Sequence, residues 1–271
     1  MEQITIQGRD ELEVYRLIGS WDKEVSILKS QGLDVITARD LAEARILAGA
    51  KNPVSTGWTF VAENFNYDGN DILIASREFS PLLQYPAEAT DCHRRGKAFY
   101  LSPKDTEKLR CVASSDINQA MKLGVLLLKR SKVPSYIPVE AFGEEDVTSF
   151  LFRDKAKEYG RFLKENEIDN VPLWVVDKAY AKKKGKAFSR ALWANCIDCN
   201  SALNGNGSLN DDYGRFSVVS RGDSEGRATV SQAPHAVSGL EADIADALRQ
   251  GVSFTFNGKL YAPVYSKAVP K

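Results

Sequence analysis

The residues best equipped for chemistry lie between Ala191 and Ser224, ALWANCIDCNSALNGNGSLNDDYGRFSVVSRGDS. This segment has no Lys, Glu or Gln, although the 271-residue chain carries 20 Lys, 17 Glu and 7 Gln. Short hydrogen-bonding side chains replace them, Asn and Asp above all, interleaved with Trp193, Cys196, Ile197, Cys199 and Tyr213. Such polar side chains make adaptable contacts at low conformational cost, as they do in antibody loops. An inert connector needs Asn and Gly to turn, but it has no use for aromatic rings and sulfur. The stretch is also long for a connector, and long ordered loops more often carry function. The composition therefore points to a binding surface laid on a rigid frame.

Other reactive residues carry weaker signals. Cys196 and Cys199 have the C-x2-C spacing of half a zinc site, but Cys92 and Cys111 have no matching spacing for the other half. No metal site is expected, and a disulfide framework is not expected in a chain of this size without export. His93 and His235 are the only histidines, too few for a three-imidazole metal centre, and no G-x-S-x-G elbow accompanies them. Gly205-Asn206-Gly207 lacks the Lys-Ser/Thr of a phosphate loop. Asp211 and Asp212 stand among Asn residues, but without EF-hand spacing or a following bidentate Glu; calcium support of the loop stays open. The lysines from Lys178 to Lys186 read as a solvated face, with phosphate contact the alternative. Two other function classes remain in view. One is a Mg²⁺-dependent enzyme on nucleic acid using Asp91 or Asp177 with these lysines; the other is a structural virion or scaffold component.

The elements that must position these residues follow from periodicity and punctuation. With 43% hydrophobic and 27% charged residues the chain is expected to be globular. Its 36 basic and 36 acidic residues cancel, which argues against a dedicated nucleic-acid or membrane-surface binder. No apolar run is long enough to span a bilayer, and no secretory signal is read, so a cytoplasmic or virion-associated location is expected. Apolar spacing over residues 9–30 predicts a helix. Thr37 is read as the N-cap of a second helix through Ala48, stopped by Gly49. Together these form an N-terminal helical appendage over 1–52, expected to pack on a main domain over 53–271. Strands are predicted at 57–65 and 70–79, a helix opening at Pro86, a short strand at 98–102 and a helix after Ser102-Pro103. An apolar helix is predicted over Ile117–Lys132, and helical spacing continues over Phe142–Asn166. Strands follow at 171–176, 187–194 and 215–220, a helix at about 239–249, and a hairpin turning on Asn257-Gly258. Helices and strands mix without βαβ regularity, so the fold class is α+β.

Two segments carry a family resemblance. PAEATDCHRRGKAFYLSPKDTEKL (86–109) resembles the first helix, strand-like link and second-helix opening of C-type-lectin-like domains of the formylglycine-generating-enzyme type. RALWANCIDCNSALNGNGSLNDDYGRFSVVS (190–220) resembles the closing strands and variable loop of the proteins in that group diversified by retroelements. The resemblance implies a C-type-lectin-like ligand-binding domain with a variable segment at about 191–215. Retroelement diversification replaces adenines, so Asn codons give a restricted set of residues that excludes Lys, Glu, Gln, Met and Trp. Every residue from Ala194 to Arg215 belongs to that set. The implied ligand-contacting surface comprises Asn195, Cys196, Asp198, Cys199, Asn200, Asn204, Asn206, Asn210, Asp212 and Tyr213. Trp193, Ile197 and Tyr213 are the apolar anchors. On this view the two cysteines are accidents of sampling. The expected function is non-enzymatic binding of a protein or other macromolecule, without a cofactor. The pattern departs from the group in that about 50 residues follow the variable segment, and the paired cysteines or three-histidine iron site of its enzyme branch are missing.

Overall fold

In the computed structural model, residues 14, 20–30, 32–199, 201–207 and 209 are described with their side chains. Backbone pairing is described for strands β1 (Glu2–Thr5), β2 (Leu12–Ile18) and β12 (Arg215–Arg221), and for a hairpin, β13 (Phe254–Phe256) with β14 (Lys259–Tyr261). The chain divides into two units, Met1–Gly222 and Asp223–Lys271. In the second, Phe256 pairs with Lys259, so the expected two-residue hairpin connection is present. The helix expected at about 239–249 lies outside the described residues.

The frame of the first unit is one twisted sheet. Its long central strands are β3 (Thr59–Asp68) and β10 (Phe188–Ala194), which run antiparallel. On one side β12 pairs with the start of β3, and β2 and β1 follow. On the other side come β11 (Leu203–Gly207), β9 (Asn170–Trp174) and β8 (Tyr136–Pro138). The far end of β3 pairs with β4 (Asp71–Ala75), which pairs with β7 (Val125–Lys129). Short strands β5 (Phe99–Tyr100) and β6 (Ala113–Ser114) join β10 and β7.

Alternation of the strand residues feeds two cores. On one face Val61, Phe65, Tyr67, Ile72, Leu126, Leu192 and Leu203 meet α2 (Ala38–Ala48), α7 (Asp146–Phe152) and α8 (Ala156–Glu165). On the other, Phe60, Ala62, Leu73, Ala191 and Trp193 meet α1 (Trp21–Ser30), α3 (Pro81–Gln84), α4 (Pro86–Arg94) and α5 (Pro103–Val112). Helices α6 (Ile117–Leu123) and α9 (Lys178–Lys184) lie in the connections.

Several local expectations hold. Thr37 caps α2 by accepting from the Asp40 N–H, Gly49 follows that helix at φ 82°, and Ser102 caps α5 through the Asp105 N–H. Two expectations are corrected. The helix expected over 9–30 divides into β2, paired along its length with β12, and α1. Residues before 52 also enter both cores through Trp21, Val25, Leu28, Ile36 and Leu41, so this segment is packed into the unit. The helix expected over Ile117–Lys132 ends at Leu123. Gly124 caps it at φ 86°, and Val125–Lys129 turns into strand beside β4. A side chain at Gly124 would press on the Phe79 ring and Ser76 Oγ at 2.8 Å, so only glycine suits this corner.

Candidate functional site

β11, β9 and β8 continue the sheet face that carries Trp193, and on it Trp174, Tyr136 and Asn206 are exposed and Asn204 is half-buried. Register carries a row of side chains across it: Trp193 lies opposite Asn204, and Asn204 opposite Trp174. Trp58, just before β3, stands edge-on to Trp193 with ring centroids 6.0 Å apart at 89°. In the neighbouring pair Tyr136 lies opposite Pro172. Trp58 is 40%, Trp174 42% and Tyr136 63% exposed, so three aromatic rings border the asparagines and face solvent. Sequence reading missed all three because they lie outside the segment of unusual composition. The signal for Tyr136 and Trp174 was a single aromatic residue at an outward strand position, which core packing explains equally well.

The expected contact residues divide by depth. Trp193 is 2% exposed, its ring packed on Phe60 at 3.7 Å between centroids. A Cβ on Gly207 would overlap the Trp193 indole, so this glycine makes room for the ring. Asn195, Cys196 and Ile197 are also buried. These four lie beneath the surface, which corrects the expectation that they face a ligand: sheet pairing and the Ser55 carbonyl draw them inward. Asp198, Cys199 and Asn206 are exposed, and Asn204 is half-buried with Oδ1 accepting from the Asn206 N–H at 2.9 Å. Asn200, Asn210, Asp212 and Tyr213 lie outside the described residues.

The loop that carries the exposed group is pinned at its base. Ile197 N–H donates to Ser55 O at 2.9 Å, Asn195 N–H to Ala202 O at 2.9 Å, and Ser201 N–H to Cys196 O at 3.0 Å. Arg45 of α2, itself buried, gives its guanidinium to Asn195 O at 2.9 Å, Val54 O at 3.2 Å, Gly57 O at 3.3 Å and the Tyr159 hydroxyl at 2.8 Å. A buried guanidinium is costly unless its donors are satisfied, and here neutral oxygens satisfy them. The turn Ile197–Cys199 brings the Cys196 and Cys199 Cα atoms to 5.2 Å, and the two sulfurs form a disulfide. The sequence predicts no disulfide framework, and the C-x2-C turn closes a local bridge that needs none.

The remaining reactive residues have structural employment. His93 is buried on α4, with Nδ1 3.4 Å from Arg190 Nη1; burial first, then the Arg190 charge, pushes its pKa down to about 4 and keeps the ring neutral. Asp177 caps α9, accepting from the Ala179 and Tyr180 N–H groups, which hold its carboxyl below the usual range. Lys184 sits 4.7 Å from the centroid of Tyr180. Asp91 pairs with Arg95 at 3.1 Å. His235 and Asp211 lie outside the described residues. At the opposite end of β3 and β10 a concavity of about 730 Å³ is lined by Tyr100, Leu101, Pro103, Glu107, Arg110 and Lys186, none of them in the segment 191–215. Among the described residues no helix is long and apolar enough to cross a membrane.

No protein-family model matches this chain, and no curated protein matches it. A solved structure described as "Accommodation of massive sequence variation in Nanoarchaeota by the C-type lectin fold" is similar in three dimensions. Its TM-score is 0.58 at 19% identity, and the match covers 80% of this chain and 100% of that one. The α+β sheet with its flanking helices is therefore a C-type lectin fold.

Proposed function

We propose that this chain is a non-enzymatic, receptor-type binding protein whose segment 191–215 is a diversifiable surface of the kind retroelements generate. The observation that carries the reading is the coincidence of two independent features. The segment free of Lys, Glu and Gln supplies Asn204 and Asn206 on strand β11 and Asp198 in the turn before it, and the exposed rings of Trp58, Tyr136 and Trp174 lie beside them. Rings bring apolar area at low entropic cost, and amides beside them fix orientation through hydrogen bonds. Within 191–215 the charged residues are Asp198, Asp211, Asp212 and Arg215, with more acid than base, so the segment suits a protein or other macromolecule better than a polyanion.

The frame also suits variation. Trp193, Leu203 and Ile197 are buried under the surface, so exchange of the outward polar residues leaves the core packing in place. The similar solved structure concerns sequence variation on this same fold, which supports the reading. The test is to sequence the source DNA around the gene and look for a second, imperfect copy of the stretch encoding Ala191–Arg215. A copy that differs almost only at adenines, beside a reverse transcriptase gene, is the expected result. Several kilobases on each side with no such copy would remove the diversification reading and leave an ordinary polar loop.

A further inference from the structure

We propose that the concavity at the far end of β3 and β10 binds a small amphipathic zwitterion, the chemistry of a short apolar peptide with both termini free. Its volume of about 730 Å³ falls among cavities that take drug-sized molecules, about 300–1,000 Å³. Helix α5 contributes Pro103, Glu107, Arg110 and Cys111, whose spacing of three or four residues puts them on one side of the helix. Leu109 is the one buried residue of α5, while Glu107, Arg110 and Cys111 are exposed. Tyr100, Leu101 and Ala187 add apolar area, and the Leu101 N–H donates to Ala187 O at 2.9 Å, which fixes the start of α5 against the start of β10. The Tyr100 ring is 41% exposed, so apolar surface here stands ready to be covered.

The charges around the space sort into a closed set and a free pair. Arg110 Nε donates to Asp68 Oδ2 at 2.5 Å, and both its Nη atoms donate to Asp71 Oδ2 at 3.2 Å. Lys129 pairs with the other Asp71 oxygen at 2.8 Å. These two acids and two bases neutralise one another. Glu107 and Lys186 line the same space, and neither has an ion pair among the described residues.

One free charge of each sign selects the ligand class. A simple cation is repelled by Lys186 and a simple anion by Glu107, whereas a molecule carrying both charges is complementary to the pair. A short peptide brings its ammonium group to Glu107, its carboxylate to Lys186, and apolar side chains to Tyr100 and Leu101. No residue of segment 191–215 lines the space, so the site stands apart from the binding surface proposed above.

The experiment uses the full chain with Cys92→Ser, which leaves Cys111 as its free thiol. The probe is leucyl-phenylalanine, with its N-acetyl form as the anion and its C-terminal amide as the cation. Calorimetry gives affinity, and the rate at which a disulfide reagent labels Cys111 locates the bound peptide. The expected result is one free dipeptide per chain, with Cys111 labelling slowed severalfold at saturation. Each blocked form should bind about two- to fivefold more weakly, the fold-change of one exposed ion pair. Glu107→Gln should erase the difference between free and acetylated peptide, and Lys186→Met that between free and amidated peptide. Both positions are exposed, so both variants should keep the wild-type Tm. Unchanged Cys111 labelling at millimolar dipeptide would overturn the site. Equal affinity for the three peptides would overturn the zwitterion, and differences that persist in the variants would overturn the roles of Glu107 and Lys186.

Discussion

Trp193 separates a ligand-facing reading of the segment from a supporting one, and replacing it decides between them. Its indole is 2% exposed, packed on Phe60 with ring centroids 3.7 Å apart at 46° and edge-on to Trp58 at 6.0 Å, with Gly207 leaving it room. Truncating a buried tryptophan to alanine costs about 3–5 kcal/mol through lost transfer energy and the cavity left behind. For a unit of this size each kcal/mol lowers Tm by about 2–4 °C, so Trp193→Ala should lower it by roughly 6–20 °C. Trp193→Phe should behave differently. Its lost area is offset because the buried indole Nε1–H has no hydrogen-bond partner among the described residues, a condition that costs about 1–3 kcal/mol. The net change for Trp193→Phe should stay within about 1.5 kcal/mol. Urea unfolding followed by far-ultraviolet circular dichroism, read at constant m, measures both. A cost below about 1 kcal/mol for Trp193→Ala at unchanged m would refute the packing described here and return Trp193 to the binding surface.

Three more perturbations have defined outcomes. Burial pushes the Glu63 carboxyl up to about 7 from 4.5, against the Ala38 N–H that binds it at 3.0 Å. The folded chain therefore holds a proton that the unfolded chain releases, so stability should fall as pH rises from about 4.5 to about 7 and then level off. Glu63→Gln should flatten that slope in Tm measurements across the window; a wild-type Tm that climbs through it would contradict the sign. Arg45→Met strands the Val54, Gly57 and Asn195 carbonyls and should cost about 3 kcal/mol, with hydrogen exchange quickening first over 195–203. Equal exchange there and in α8 would show that Arg45 does not pin the loop. By contrast, Tyr136→Ala, Asp198→Ala and Asn206→Ala combined should cost no more than about 1.5 kcal/mol, since exposed positions rarely exceed 0.5 kcal/mol each; a cooperative loss well beyond that would place these residues in the frame.

Features that depend on near neighbours in the chain were legible without the fold. Thr37, Ser102 and Gly49 act through hydrogen bonds and backbone angles that reach only a few residues, and the caps form where their types place them. The hairpin at Asn257-Gly258 pairs for the same local reason. The segment without Lys, Glu and Gln is a property of composition alone, and it located the exposed positions Asp198, Cys199 and Asn206. Partners distant in sequence decided the rest. Val125–Lys129 has the apolar run of a helix or a strand equally, and only the free edge of β4 made it a strand. Leu12–Ile18 became strand because β12, some 200 residues later, offered its backbone groups. Residue type likewise could not say that Trp193 lies inside while Trp58 and Trp174 lie outside, because all three are the same amphipathic ring. That sorting follows from which residues fold against each ring, Phe60 against Trp193 among them, since exposure belongs to the neighbours a residue acquires on folding.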